Sequence, residues 1–136
     1  MVLDTNVLVA GLRSPLGASA RLLGQLPSPR WTPVLSVPLY CEYRDVLLRV
    51  GMVPNVLTTQ DILAFCRFIA SVSQEQPIYF LWRPFLPDPK DDHLLELAVA
   101  AGASHVITHN VKDLRKSKEL GVESITPIDF LRLLRK

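Results

Sequence analysis

Short apolar runs alternate with longer stretches of helical periodicity along most of this chain. The apolar runs are typical of buried strands, and the longer stretches repeat their apolar side chains at the spacing of an amphipathic helix. When a helix connects each strand to the next, the strands become parallel and the helices pack on the faces of the sheet. The alternation therefore predicts an α/β fold, a doubly wound sandwich with a parallel sheet between two helical layers.

Capping residues and prolines mark where the strands and helices begin. Ser36 and Thr58 are typical helix N-caps, and Thr126 is followed by Pro127, a residue favoured in the first helical turn. Because proline donates no hydrogen bond, Pro33 is expected to shorten the second strand or to move it to the sheet edge. We expect strands at 1–3, 31–36, 78–82 (or an extended connection there), 105–108 and 122–126, and helices at 18–26, 37–50, 59–70, 89–101 and from 127 onward.

The composition is that of a single soluble domain. A chain of 136 residues with 49% hydrophobic content can bury roughly 68% of its unfolded surface, so we expect one domain over residues 1–136. No apolar stretch reaches the roughly 18 residues of a membrane span, and no basic leader precedes the first apolar run. Cys41 and Cys66 lie in expected helices, where we expect both to be buried and reduced, and this favours a cytoplasmic location.

The net charge neither requires nor excludes a nucleic-acid partner. The formal charge of +2 at pH 7 is ordinary for a globular domain. Basic residues are grouped at 115–118 and at 132–136, and such groups can contact phosphates. Solvated helix faces explain the same groups, so both interpretations stay open.

Acidic and amide side chains occur at several positions that this fold would bring together. Asp4 ends the first apolar run and leads straight into a helix, at the sheet edge where open α/β folds bind ligands. Glu42 lies on the margin of the buried stripe of its helix, and Asp91 extends another buried stripe toward its helix start. Asn110 and Asp113 follow a later strand. Converging carboxylates cannot all stay ionised without a cation, so the pattern predicts a divalent-metal site.

Each acid also has a purely structural interpretation. These interpretations are a helix cap for Asp4, an ion pair with Arg44 or Arg49 for Glu42, a capping arrangement with Asp88 for Asp91, and a turn for Asp113. The spacing alone does not decide between a metal site and these local roles.

Other common catalytic patterns are missing from the sequence. His93, His105 and His109 lack the spacing of zinc ligands, although His109 adjoins the expected site and could touch substrate. There is no glycine-rich phosphate loop and no Gly-x-Ser-x-Gly elbow, which excludes P-loop enzymes and serine hydrolases of that type. Metal-dependent phosphodiester hydrolysis requires hard oxygen ligands for Mg²⁺ or Mn²⁺, and the aspartates and glutamate above can supply them.

Two segments of the chain resemble the PIN domain family. Residues 2–8, Val-Leu-Asp-Thr-Asn-Val-Leu, are similar to the opening of PIN domains, and residues 88–98, 102–103 and 106–114 are similar to their second half. Within the family, the chain is similar to VapC-like toxins of bacterial and archaeal toxin–antitoxin pairs. The resemblance implies a three-layer α/β/α sandwich with strand order 3-2-1-4-5. It also implies a Mg²⁺- or Mn²⁺-dependent ribonuclease acting on single-stranded RNA, a cognate antitoxin partner and a homodimer.

The resemblance also assigns roles to individual residues. It makes Asp4, Glu42 and Asp91 the catalytic acids, with Asp92 as the neighbouring alternative to Asp91. At a fourth position, where many members have aspartate, this chain has Asn110. Its amide adds no negative charge, so a second metal ion should bind more weakly. The full set of implied metal ligands is Asp4, Glu42, Asp91, Asp92, Asn110 and Asp113, and the implied supporting residues are Thr5, Asn6 and Thr108.

The residues and the resemblance together favour a single-strand endoribonuclease that a partner holds inactive. One alternative is a PIN scaffold that binds RNA or a protein but has lost cleavage, which Asn110 keeps open. A second alternative is a phosphatase of the haloacid dehalogenase type, which also places aspartate after the first strand. That class expects another aspartate two residues later, where this chain has Asn6, so the sequence disfavours it.

Overall fold

Strands and helices alternate along the chain as expected. The computed structural model describes residues 1–77 and 89–135, without the side chains of 89–92, 113, 115 and 116. The strands are β1 (Val2–Leu3), β2 (Val34–Leu35), β3 (Gln74–Glu75), β4 (His105–Ile107) and β5 (Glu123–Ile125). The helices are α1 (Thr5–Arg13), α2 (Ala18–Leu23), α3 (Val37–Leu47), α4 (Thr59–Val72), α5 (Pro89–Ala101) and α6 (Pro127–Leu134), with a 3₁₀ helix at Val111–Leu120 before β5.

The five strands form one parallel sheet in the order β3-β2-β1-β4-β5. This confirms the predicted PIN-like α/β fold and its strand order. Val2 pairs with Val34 on one side and with Val106 on the other, so β1 lies between β2 and β4. The chain order reverses at β1, and such a switch point opens a crevice at the carboxyl ends of the strands.

Side-chain caps begin three of the helices at the residues that the sequence indicated. The Ser36 hydroxyl accepts a hydrogen bond from the Leu39 backbone at 3.2 Å, which starts α3. Thr58 and Asp61 form a reciprocal capping box at the start of α4. Thr126 caps α6 through its hydroxyl, as Ser36 caps α3. These caps satisfy backbone donors that the first turn of a helix leaves unpaired.

The sheet differs from the sequence prediction at its second and third strands. β2 is shortened to two residues after Pro33, but it lies between β1 and β3, so the edge position is wrong. β3 is the exposed pair Gln74–Glu75, which the sequence did not indicate because it lacks an apolar run. The expected strand at 78–82 lies outside the described residues. The helices α2 and α3 end three residues earlier than predicted.

The core lies on both faces of the sheet. Val2, Leu3, Val106 and Ile107 have no solvent exposure, as expected for strands covered by helices on each side. Cys66 is buried as predicted, whereas Cys41 is exposed, because it lies on the outer face of α3. Among the described helices, none is long and apolar enough to cross a membrane.

Candidate active site

Asp4 lies at the carboxyl end of β1, next to the switch point of the sheet. Its backbone is extended, and it precedes α1, yet its side chain makes no capping hydrogen bond to that helix. The capping interpretation of Asp4 is therefore wrong. The carboxylate is held elsewhere: Oδ2 accepts hydrogen bonds from the Thr108 hydroxyl at 2.8 Å and from the Asn6 amide at 3.3 Å. Only 8% of the residue is exposed, so this carboxylate is buried at a sheet edge.

Thr108 connects the ends of β1 and β4. Its side chain is fully buried, and its hydroxyl donates to Asp4 while accepting from the Asn110 backbone at 3.0 Å and the Asn6 amide at 3.4 Å. A hydroxyl has one donor and two acceptor sites, so these contacts use its full capacity. The Thr108 side chain thereby fixes both the Asp4 carboxylate and the backbone that carries Asn110.

A second set of contacts holds the loop after β4. The Asn6 side-chain oxygen accepts from the His109 backbone at 3.3 Å, so one amide side chain bridges Asp4, Thr108 and this loop. The His109 ring lies 3.0 Å from the Ser19 hydroxyl of α2. Sequence reasoning missed Ser19, whose only signal is that it is a hydroxyl on the buried side of a helix.

Glu42 reaches the same region from α3. One carboxylate oxygen accepts a hydrogen bond from the Thr5 hydroxyl, and the other lies 3.3 Å from the His93 ring of α5. Among the described residues no ion pair joins Glu42 to Arg44 or Arg49, so that interpretation is wrong. Because Thr5 follows Asp4 directly, this contact places the second acid beside the first. The sequence considered His93 only as a zinc ligand and missed its contact with Glu42.

The electrostatics of the site follow from burial and from the two acids. Burial raises the pKa of Asp4, and the negative charge of Glu42 raises it further. The Thr108 hydroxyl lowers this pKa again, and so do the backbone N–H groups of Asn6 and Thr5, which lie near the carboxylate but lack the geometry of a capping hydrogen bond. Tyr43 is buried beneath the site, where desolvation and the charges of Asp4 and Glu42 hold its pKa well above its usual value. A cation at this edge would offset the repulsion between the acids.

The remaining expected ligands are only partly described. Asp91 and Asp92 lie in the first turns of α5 and Asp113 lies in the 3₁₀ helix, but their side chains are outside the described residues. Among the side chains that are described, no three of His, Cys, Asp and Glu converge closely enough to hold a metal ion. Asn110 is exposed at the start of the 3₁₀ helix, and its side chain does not cap that helix.

The fold and the site define an α/β protein with paired acids at the switch point of a parallel sheet. The PIN domain family matches residues 1–112, which is most of the chain. The chain therefore belongs to the PIN domain family, whose members are generally nucleases and usually use divalent metals. No curated protein matches the chain in a sequence comparison.

Proposed function

We propose that this protein is a metal-dependent endoribonuclease that cleaves single-stranded RNA, and that it is the toxin of a toxin–antitoxin pair. The observation that carries the proposal is the Asp4 carboxylate. It is buried at the carboxyl edge of the sheet, caps no helix, and lies beside the second carboxylate of Glu42. A buried acid with a raised pKa and an acidic neighbour is typical of a functional site.

The donors present suit a hard divalent cation. Carboxylate and amide oxygens are the ligands that Mg²⁺ and Mn²⁺ prefer. Burial and, to a smaller extent, the charge of Glu42 raise the pKa of Asp4, and a bound cation would offset both effects. A Mg²⁺ or Mn²⁺ ion held by these residues would supply Lewis acidity, which would activate a water and offset negative charge on the phosphate. The proposed ligands are Asp4, Glu42 and Asp91, with Asp92, Asn110 and Asp113 as further candidates.

The supporting residues orient these acids. Thr108 and Asn6 hold Oδ2 of Asp4, and Thr5 holds Glu42. The same hydrogen bonds limit the rotation of both carboxylates, so the ligands are ordered before a metal or substrate arrives. Such contacts around a metal site typically change metal affinity or activity by about 10- to 100-fold when removed.

The family match ends at residue 112, but we propose that the functional unit is one domain over residues 1–136. Side chains beyond residue 112 belong to the same buried core as β1 and β4, namely Leu114, Val122, Phe130 and Leu131. We also propose a cytoplasmic homodimer that binds a cognate antitoxin. A monomeric mass in light scattering at micromolar protein concentration would contradict the dimer.

The scaffold without cleavage remains the competing function, because the amide of Asn110 brings no charge to the fourth position. The proposal is tested with single-stranded RNA labelled at both ends, incubated with Mn²⁺, Mg²⁺ or EDTA. We expect internal cleavage with metal, none with EDTA, and less cleavage of the matching duplex. Asp4→Asn should abolish the products, whereas Asp45→Asn, a change at an exposed acid of α3, should not.

Two outcomes separate the alternatives. If several RNA sequences give no metal-dependent products, the scaffold is favoured over the nuclease. If the protein cleaves RNA, the toxin role is tested by expression in cells. We expect the parent, but not Asp4→Asn, to arrest growth, and we expect co-expression of an adjacent small reading frame to relieve the arrest.

A further inference from the structure

A cavity of about 400 Å³, lined by both polar and apolar residues, lies between the C-terminal ends of α2 and α6. The helix α6 follows the carboxyl end of β5, and its Phe130 packs against His105, the first residue of β4, and against Trp31, which precedes β2. The later turns of α6 therefore lie toward the amino ends of the strands. Asp4 and Thr108 follow the carboxyl ends of β1 and β4. The cavity is therefore on the opposite edge of the sheet from the acidic site.

Three arginines from separate parts of the chain line this cavity. Arg21 is in the last turn of α2, Arg30 precedes β2, and Arg135 follows α6. Within the described part of the chain, none of them has a carboxylate within 4.0 Å; the ion pair on α6 is formed by Arg132 with Asp129 instead. The C-terminal ends of α2 and α6 each carry a partial negative charge of roughly half a unit. Together they offset about one of the three arginine charges, so the cavity stays positive.

The polar wall of the cavity is ordered by contacts within the protein. The Gln25 side-chain oxygen accepts a hydrogen bond from the Trp31 indole at 3.2 Å. Its NH₂ group makes no hydrogen bond to the described residues, so two donors face the cavity region. Trp31 is itself buried and packs edge-on against Phe130 at a centroid distance of 5.6 Å. The Ser28 hydroxyl accepts from the Arg30 backbone at 3.1 Å and fixes the turn that carries this arginine.

The lining has the chemistry of a nucleotide site. Guanidinium groups match phosphate oxygens in a bidentate geometry. Leu134, which is only partly buried, provides an apolar surface beside the arginines, against which a base can pack. A volume of about 400 Å³ is within the usual range of roughly 300 to 1,000 Å³ for small-ligand sites. An acidic protein segment is the other ligand that this charge would accept, and competition with polyglutamate tests it.

We propose that this cavity binds a nucleotide of single-stranded RNA, with a phosphate on the arginines and the base on the leucine surface. This cavity is a second RNA contact, separate from the acidic site. The proposal depends on the proposed function in one respect, that RNA is the ligand of this protein. RNA that spans both edges of the sheet is held by the arginines while its scissile phosphate lies at Asp4.

Binding is measured by fluorescence anisotropy of labelled single-stranded RNA with the full chain in EDTA, where no metal-dependent cleavage interferes. The double variant Arg21→Ala/Arg135→Ala is compared with Arg67→Ala/Arg132→Ala, which removes the same charge from α4 and α6 outside the cavity. We expect the cavity variant to bind at least about tenfold more weakly than the control variant. The slope of log affinity against log salt should fall by about 0.7 for each phosphate that the variant no longer neutralises.

Equal weakening in the two double variants would overturn the proposal, because general charge would then explain the binding. Thermal melts confirm that both variants fold, and Arg30→Ala, a loop substitution, is expected to weaken binding in the same direction. Uridine monophosphate and polyglutamate serve as competitors. Displacement of the RNA by either one at an affinity equal to that of the RNA would overturn the assignment to an RNA chain.

The result is separable from the proposed function. Cavity-dependent RNA binding without metal-dependent cleavage would contradict the nuclease and keep the second RNA-binding site. Normal cleavage and normal RNA binding by the cavity variant would contradict the second RNA-binding site alone.

Discussion

Thr108 donates its hydroxyl hydrogen to Oδ2 of Asp4 at 2.8 Å, although the two residues are 104 positions apart in the chain. The contact joins the ends of β1 and β4, the neighbouring strands at which the sheet order reverses. Thr108 is fully buried, and its hydroxyl also accepts a hydrogen bond from the Asn110 backbone. It therefore couples the position of the Asp4 carboxylate, at the end of β1, to that of the loop after β4. The geometry of the candidate site therefore depends on a residue that is not itself a carboxylate.

Replacing Thr108 with valine should impair the site while keeping its shape. The hydrogen bond to Asp4 lowers the pKa of that carboxyl, so its removal makes the ionised ligand less stable. We expect metal-dependent RNA cleavage to fall by about 10- to 100-fold. Thr108→Ser keeps the hydroxyl and should stay near the parent rate. Equal activity of the valine and serine variants would contradict a role for the hydroxyl.

Local features of the fold are predictable from the sequence. Ser36 and Thr58 are recognisable as helix caps because a cap depends on a few neighbouring residues, and the alternation of apolar patterns indicates the parallel sheet. The strand β3 cannot be found in this way. Its two residues are polar and exposed, and their extended form comes from pairing with β2.

The candidate site shows the same division. Asp4 is predictable at the sheet edge because its position follows from the strand before it. The contacts of Thr5 with Glu42 and of Ser19 with His109 are not predictable, since each joins residues that only tertiary packing brings together. Hydroxyl groups carry little sequence signal, because serine and threonine occur in many local roles.

Asp4→Asn should leave the protein in EDTA as stable as the parent, or more stable, near neutral pH. The raised pKa means that native Asp4 binds a proton more tightly than the unfolded chain does. The free energy of unfolding therefore falls as pH rises above the ordinary value of 3.8, until the native pKa is passed. The Asp4→Asn variant has no such decrease in the free energy of unfolding, so its stability advantage over the parent should disappear at acidic pH.

Thermal melts in EDTA between about pH 3 and about pH 8 measure this difference. Asp45→Asn is the control, since Asp45 is exposed on α3 and makes no ion pair among the described residues. A parent protein that is more stable than Asp4→Asn at neutral pH without metal would show that burial of this charge is compensated within the protein.

Mn²⁺ should stabilise the parent and have much less effect on Asp4→Asn and Asp91→Ala. A ligand that binds only the native state at about a hundredfold excess over its dissociation constant contributes about 2.7 kcal/mol. Each variant removes a proposed metal ligand, so the metal-induced rise in melting temperature should shrink. The measurement is a set of melts with Mn²⁺ and with EDTA. An equal response in all three proteins would contradict the proposed metal site.

Asn110→Asp should strengthen metal binding at the cost of stability without metal. The Asn110 backbone is fixed by Thr108, while its exposed side chain does not cap the 3₁₀ helix, so the substitution adds a charge without removing a cap. In EDTA the new carboxylate joins an edge that already carries Asp4 and Glu42, and we expect a lower melting temperature. With Mn²⁺ we expect a larger rise in melting temperature than for the parent, and faster cleavage of single-stranded RNA. Lys112→Gln, which makes the exposed start of the 3₁₀ helix more negative by the same single charge two residues away, should not reproduce this pattern. If Asn110→Asp responds to Mn²⁺ no more than the parent does, residue 110 is not part of the metal site.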